Sequence, residues 1–248
     1  MNETRVALVT GANQGIGFQI AKELVRKGVT VFLGARDLEK GKKAAQEIGD
    51  KAHALQLDVT DEISIANAVS HIRLAFGRLD ILVNNAGISR AAQNQSFEEV
   101  IKTNLLTEAP LSDIRAVYET NVFGLIAVTQ AMLPLLRRAP AGRIVILGSS
   151  GASLTLNSDK DNPHRKMFGN YSTSKVAAHG VMLAFALALE DTNIKVNAAC
   201  PGFTSTALNN FHGTRGMEDA AREPVRLALL DDDGPTGTFS DENGTVPW

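Results

Sequence analysis

The chain has little of several features that would point to other classes of protein. It has a single cysteine, Cys200, which cannot form a disulfide within the chain, so we expect a small buried residue and a fold independent of oxidation. Its 25 lysines and arginines nearly balance 27 aspartates and glutamates, and this net charge of −2 argues against a nucleic-acid-binding surface. No apolar run reaches the ~20 residues of a membrane span, and no signal peptide is evident. We therefore expect a cytoplasmic protein with neither nucleic-acid nor membrane partners.

Short apolar runs alternate along the chain with longer segments of helical period. The apolar runs occupy residues 6–9, 29–33, 54–57, 81–83, 144–147 and 196–200. Most have no polar face, which is typical of parallel strands covered on both sides. Helical periodicity covers residues 15–27, 171–190 and a segment for which Thr60 is the expected N-cap, and residues 112–136 suit one long helix or two abutting ones. The alternation predicts an α/β fold, a single domain over residues 1–248 with a doubly wound parallel sheet of about seven strands and helices on both faces.

A glycine-rich turn joins the first predicted strand to the first predicted helix. Gly11, Gly15 and Gly17 follow Thr10 at the end of that strand. Missing side chains let a backbone approach a pyrophosphate, and a helix N-terminus offers free N–H groups and the positive end of a dipole. Glycines at such a turn can also be purely structural, but here the strand before and the helix after supply the context that a dinucleotide site requires. The turn therefore predicts a Rossmann-type dinucleotide fold.

Further motifs follow in a fixed order. They are T-G-x-x-x-G-x-G at residues 10–17, Asp58-Val59 after the third run, N-N-A-G at 84–87, Asn121 in a long helix, Y-x-x-x-K at 171–175 and N-x-x-x-P-G at 197–202. Together they resemble the short-chain dehydrogenase/reductase family over nearly the whole chain. The long segment between Ser149 and Tyr171 and the stretch 224–239 are similar to its carbonyl reductase-like branch.

The resemblance implies a catalytic set of Asn121, Ser149, Tyr171 and Lys175. Tyr171 would transfer the proton, Lys175 would bind the nicotinamide ribose, Ser149 would hydrogen-bond the substrate oxygen, and Asn121 would hold a water. Tyr171 and Lys175 are four residues apart, so a helix places them on one face, where the ammonium is expected to lower the phenol pKa from its ordinary ~10. The choice of Ser149 depends on an ungapped match to the family motif, and a shift of one residue would select Ser150 instead.

The resemblance also implies the cofactor NADP(H). Where the family carries the acid that selects NAD, this chain has Ala35, and the next residue, Arg36, can pair with a 2′-phosphate. Asp37 and Gln14 argue the other way, although Asp37 is expected to cap the helix that begins near Leu38. The residues implied to contact the cofactor are Gly11, Asn13, Gln14, Gly15, Ile16, Gly17, Arg36, Asp58, Val59, Asn85, Ala86, Gly87, Tyr171, Lys175, Pro201, Gly202, Thr204 and Thr206, and no metal is implied.

The implied activity is hydride transfer between the nicotinamide and a ketone or aldehyde, or the corresponding alcohol. A 3-oxoacyl carrier-protein reductase and a non-catalytic NADP-binding sensor or scaffold are the alternatives. The family's dimers and tetramers make a homo-oligomer possible, with a monomer not excluded.

Two connections, residues 88–110 and 152–170, are longer than usual and are expected to be functional. Within the second, residues 158–168 are expected either to border the substrate mouth, with Met167 and Phe168 as apolar contacts, or to form a surface loop. Gly213 and Gly216 suit either the hinges of a lid or ordinary turns.

Overall fold

A computed structural model of the chain describes residues 4–90, 99 and 103–248, so part of the predicted connection 88–110 lies outside the described residues. The strands are β1 (Val6–Thr10), β2 (Thr30–Ala35), β3 (Ala52–Gln56), β4 (Ile81–Asn84), β5 (Gly142–Leu147), β6 (Ile194–Ala199), β7 (Phe239–Asp241) and β8 (Gly244–Thr245). The helices are α1 (Gly15–Arg26), α2 (Leu38–Ile48), α3 (Glu62–Phe76), α4 (Leu111–Tyr118), α5 (Leu125–Leu136), α6 (Leu154–Ser158), α7 (Asn170–Ala188) and α8 (Met217–Ala228). Short 3₁₀ turns occupy Ser150–Ala152, Arg165–Met167 and Ala207–Asn209.

The strands form one sheet in the order β3-β2-β1-β4-β5-β6-β7-β8. Neighbouring strands from β3 to β7 pair in parallel, and β8 pairs antiparallel with β7. The predicted doubly wound α/β sheet is confirmed. The antiparallel strand was not predicted, because two residues, Gly244 and Thr245, are too few to show a period. The strand order reverses between β1 and β4, and the crevice at the carboxyl ends of these strands is where such folds bind ligands.

Each face of the sheet is covered by its own apolar layer. Leu8 and Leu82 face a layer that includes residues of α3, α5 and α7. Val9 and Val83 face a second layer built with α1, α2 and α8. Alternate residues of one strand thus enter different cores, which explains why the strand sequences have no polar face.

The N-caps of two helices, α2 and α3, were predicted from the sequence and can be compared with the structure. Asp37 caps α2 as predicted, its carboxylate accepting the backbone N–H groups of Glu39 and Lys40. Thr60 was the wrong residue for the cap of α3. Asp61 makes that cap, because its carboxylate accepts two first-turn N–H groups, whereas the Thr60 hydroxyl donates to Asp58 across 2.7 Å.

Residues 111–136 form one long helix with a change of winding in the middle. A π-helical segment, Glu119–Gly124, joins α4 directly to α5. The helix is long and apolar enough to cross a membrane by length and composition, but half of its most apolar window is buried inside the protein. Its buried residues, among them Val128 and Met132, belong to the apolar layer beneath the sheet, which is how a core helix packs. Cys200 is 3% exposed, as expected of a small core residue.

Candidate active site

The glycine turn is locked against the end of β4. The hydroxyl of Thr10 accepts the backbone N–H groups of Asn85 and Ala86 at 3.0 and 2.9 Å. The Asn85 amide donates back to the Thr10 carbonyl at 2.8 Å. Gly17 must lack a side chain, because a Cβ there would overlap the Asn85 amide. Gly15 has open space but a φ of +64°, which favours glycine. The first and fourth strand ends are therefore one rigid unit.

The start of α1 fits a pyrophosphate. Gln14 is its N-cap and makes no side-chain capping bond, and the first turn holds no acidic residue. The first-turn N–H groups, including that of Ile16, therefore remain available to an anion, which the helix dipole favours there. Asn13 and Gln14 also line a surface depression of about 350 Å³ with Lys40 and Lys43 of α2.

The end of β2 presents positive charge and little free negative charge. Arg36 is exposed and pairs with no carboxylate among the described residues. Asp37 is committed to the α2 cap, with its second oxygen 3.9 Å from Lys40 Nζ. Lys40 was not among the predicted cofactor residues, although its position three residues after the predicted cap Asp37 places it in the first turn of α2.

Asn121 lies in the π-helical segment and is almost completely buried. Its amide oxygen accepts the Ile88 N–H at 2.8 Å, and its amide nitrogen donates to the Ile88 carbonyl at 2.9 Å and to Ser174 Oγ at 3.0 Å. Ser174 in turn donates to the Tyr171 carbonyl at 2.7 Å. Short π-helical segments occur often at functional sites, and this one fixes α7 to the chain after β4. With both amide protons used, any water on this side chain would have only Oδ1 to bind.

Tyr171 and Lys175 lie on one face of α7, as predicted. Lys175 Nζ is 5.8 Å from the centre of the Tyr171 ring and donates to the Leu147 carbonyl at 2.8 Å. Burial lowers the pKa of Lys175 to about 8. The pKa of Tyr171 is raised by burial, and further by Cys200, rather than lowered as the sequence analysis expected. The reason is geometric: the ammonium is directed to a backbone carbonyl, and desolvation of the phenol dominates.

Ser149 and Ser150 follow β5 and differ in their contacts. Ser149 Oγ accepts the Gly151 N–H at 3.1 Å, so the serine keeps a hydroxyl proton to donate. The Ser149 N–H faces His179 Nε2 at 3.4 Å, a contact that the sequence analysis missed. The Ser150 N–H instead donates to Cys200 Sγ at 3.2 Å.

The segment that follows β6, residues 201–216, is held in place by hydrogen bonds and packing contacts among its own residues. Thr204 is buried, and its hydroxyl donates to the Pro201 carbonyl at 3.0 Å, so it is less free for a cofactor than the sequence suggested. The Thr206 N–H is bound by the Asn209 side chain at 3.2 Å. A Cβ on Gly213 would overlap the backbone of Thr204, which makes Gly213 a packing glycine; Gly216 is the N-cap of α8.

The remaining predicted cofactor residues lie at strand ends. Asp58 and Val59 are the second and third residues after β3, and the Asp58 carboxylate accepts the Thr60 N–H at 3.0 Å. Gly87 faces both predicted catalytic groups: a Cβ there would lie 3.2 Å from Asn121 Oδ1 and 3.6 Å from Lys175 Nζ. The structure thus brings Asn121, Tyr171 and Lys175 together beside the β4 loop, and Arg36 lies apart at the end of β2.

Comparisons with known proteins identify the relatives of the chain. The family model described as short chain dehydrogenase matches residues 5–215. (+)-Neomenthol dehydrogenase from Capsicum annuum is 30% identical over 298 aligned positions, covering 95% of each chain. The solved structure of salutaridine reductase from Papaver somniferum has a TM-score of 0.79 at 29% identity, covering 95% of this chain and 99% of that one. That of 3-ketoacyl-(acyl-carrier-protein) reductase from Brucella melitensis, complexed with NADH, has a TM-score of 0.80 at 26% identity, covering 98% of each.

Proposed function

The chain belongs to the short-chain dehydrogenase family as a carbonyl reductase-like oxidoreductase, and we propose that it reduces ketones or aldehydes with NADPH, with Tyr171 as the proton donor. The observation that carries the proposal is the contact set around α7. Ser174 links Asn121 to the Tyr171 carbonyl, and Lys175 Nζ lies 5.8 Å from the centre of the Tyr171 ring. Lys175 also binds the Leu147 carbonyl of β5, the strand that Ser149 follows. These are the groups that the chemistry needs in one place.

The protonation state of Tyr171 suits reduction. Because burial raises its pKa, the phenol keeps its proton at neutral pH. A nicotinamide cofactor held at the glycine turn of residues 11–17 would supply the hydride for the new C–H bond at the carbonyl carbon. Tyr171 gives its phenolic proton to the carbonyl oxygen, so an O–H bond forms there and the O–H bond of Tyr171 breaks. A phenolate remains on Tyr171 and must be reprotonated from solvent.

Lys175 and Ser149 support that proton transfer. Lys175 is mostly protonated at neutral pH, since its pKa is about 8, and its positive charge stabilises the phenolate that forms on Tyr171. The same ammonium would hold the nicotinamide ribose, as the family resemblance implies. Ser149 has a hydroxyl proton free for the substrate oxygen, where negative charge develops.

The preference for NADPH rests on charge at the end of β2. A 2′-phosphate would meet Arg36 and Lys40, both exposed there, while the carboxylate that could select NAD is occupied in capping α2. A guanidinium pairs with phosphate through two hydrogen bonds, and a second cation adds to the attraction. Arg36→Ala should therefore raise the KM for NADPH and leave that for NADH nearly unchanged.

The substrate proposed is an apolar, cyclic ketone or its alcohol. Exposed apolar side chains occur in the connection between β5 and α7, at Leu154, Leu156 and Met167, and after β6, at Phe203 and Phe211. The relatives support the same class, since their names refer to neomenthol and salutaridine. Apolar side chains of this kind, with a few polar groups among them, are what small-molecule sites use to bind such compounds.

The test is oxidation of NADPH by the purified chain with a panel of cyclic ketones, linear ketones and a 3-oxoacyl thioester. The proposal expects turnover with cyclic ketones and a lower kcat/KM with NADH. Arg36→Ala is compared with the control Lys42→Ala. Lys42 is a cation of α2 that pairs with Glu39, so its loss should leave the KM for NADPH unchanged. A strong preference for the thioester would favour the 3-oxoacyl reductase. NADPH binding without any turnover would favour a sensor or scaffold.

A further inference from the structure

The N-terminal end of α7 has no capping side chain of its own. Its N-cap is Gly169, and the first turn carries no acidic residue. The first N–H groups of a helix need acceptors, usually from the N-cap side chain to the second or third helical residue. Tyr171 is the second residue of α7, so the residue proposed to carry the proton is also one whose backbone N–H needs such an acceptor.

Asn104 supplies it from a distant part of the chain. Its side-chain oxygen accepts the Tyr171 N–H at 3.0 Å across 67 positions of sequence. This is the bond that a capping asparagine makes, provided here by the segment before α4. Asn104 Nδ2 donates to the Met167 carbonyl at 2.9 Å, so the same amide also holds the chain just before α7.

Gly169 makes this approach possible. A Cβ on Gly169 would overlap the backbone carbonyl of Asn104. Gly169 has a φ of −156°, which any residue adopts, so it is the contact and not the backbone conformation that requires glycine. The two long connections beside the site therefore meet at the residues that adjoin Tyr171.

We propose that Asn104 is a positioning residue for Tyr171: it caps α7 from a distant part of the same chain and fixes where the phenol lies. The proposal rests on the proposed function in that Tyr171 donates the proton. Proton transfer needs donor and acceptor atoms within about 2.6–3.2 Å, so a small displacement of the start of α7 costs rate without removing any reacting group. Asn104 itself does not touch the reacting atoms; it acts through the backbone of Tyr171.

The kinetic test compares two substitutions of Asn104. Asn104→Ala removes the acceptor and should lower kcat about tenfold or more, with NADPH affinity kept within about twofold. Asn104→Asp keeps an acceptor oxygen and adds a negative charge that the helix N-terminus favours, so it should restore most of kcat. Asn193→Ala is the matched control: the Asn193 amide also joins two distant segments, donating to the Ala139 and Pro140 carbonyls before the N-terminal ends of β5 and β6, and its loss should leave kcat unchanged.

A second readout does not depend on activity. The chain has two tyrosines, Tyr118 and Tyr171, so fluorotyrosine labelling gives two ¹⁹F resonances that a Tyr118→Phe variant assigns. Asn104→Ala should shift and broaden the Tyr171 resonance, and Asn104→Asp and Asn193→Ala should not. If Asn104→Ala does not fold, Gly169→Ala pushes the same contact apart with the amide intact and should have the same effect.

The outcomes separate the two proposals. Wild-type protein that reduces no carbonyl compound overturns the proposed function, while a shifted Tyr171 resonance in Asn104→Ala still supports positioning. An unchanged resonance together with an unchanged kcat in Asn104→Ala overturns the positioning role, even if the wild type is an active reductase.

Discussion

His179 Nε2 faces the backbone N–H of Ser149 at 3.4 Å, so an imidazole of α7 supports the residue that follows β5. The ring packs against Phe239, at 4.2 Å between ring centres, and against Trp248, at 5.9 Å, and these two rings stack on each other at 5.7 Å. Only an unprotonated Nε2 can accept that hydrogen bond. Burial, and to a smaller extent the charge of Lys175, lower the pKa of His179 to about 4.

This depressed pKa predicts a loss of stability in mild acid. Between pH 6.5 and about 4 the unfolded chain binds a proton at His179 that the folded protein does not, so falling pH favours unfolding in that window. At ~1.4 kcal/mol per unit, the free energy of unfolding should fall by about 3 kcal/mol. His179→Leu should lack this component in urea titrations across the window, and His164→Leu, an exposed control, should keep it. Equal slopes in wild type and His179→Leu would refute the assignment.

The two serines after β5 should differ sharply in their effect on rate. Ser149→Ala removes a hydroxyl whose proton is free for the substrate oxygen, so kcat should fall by about 100-fold. Ser150→Ala leaves the backbone bond to Cys200 in place, because that bond uses the Ser150 N–H, and kcat should change by less than about threefold. Steady-state kinetics of both variants measure these losses. A larger loss of kcat in Ser150→Ala than in Ser149→Ala would assign the substrate contact to Ser150.

Lys175 should set the alkaline limb of the pH–rate profile. As pH rises through about 8, Lys175 loses the positive charge that stabilises the Tyr171 phenolate. The kcat/KM for NADPH, measured with saturating ketone, reports groups of the enzyme form that binds NADPH and should fall above that pH. Lys175→Arg keeps its positive charge over this range. Its kcat/KM, although lower than that of the wild type, should therefore not fall above pH 8. A wild-type profile that stays flat well above pH 8 would contradict this role.

Met167 should contribute to the binding of apolar substrates. Its side chain is 42% exposed next to the start of α7, while its backbone carbonyl is held by Asn104. Met167→Ser removes apolar surface and should raise the KM for a cyclic ketone about tenfold, with the KM for NADPH unchanged. Leu74→Ser, on the exposed face of α3, is the control and should change neither. Identical KM values for Met167→Ser and wild type would make residues 158–168 a surface loop.

Local patterns in the sequence predicted the fold and part of the site because short-range contacts determine both. Alternate core-facing residues and the strand–turn–helix at Gly11 to Gly17 act within a few residues, and Tyr171 and Lys175 share a helix face by their spacing alone. The cap on Tyr171 could not be predicted, because its acceptor is 67 residues away.

The direction of the pKa shift at Tyr171, the π-helical winding and the cap of α3 could not be predicted from the sequence either. Spacing placed a lysine near Tyr171, but only the three-dimensional structure shows that the ammonium is directed to the Leu147 carbonyl and that burial controls the phenol. The π-helical winding around Asn121 leaves no pattern in composition. The cap of α3 shifted by one residue because both Thr60 and Asp61 are acceptable capping residues and only the carboxylate reached the helix.

The most direct test of the account is a single-turnover measurement of hydride transfer from bound NADPH to a ketone in wild type and Tyr171→Phe. The account predicts that Tyr171→Phe binds NADPH with nearly wild-type affinity and transfers hydride at least about 1,000-fold more slowly, because the substrate oxygen receives no proton. A Tyr171→Phe protein that transfers hydride at the wild-type rate would contradict it.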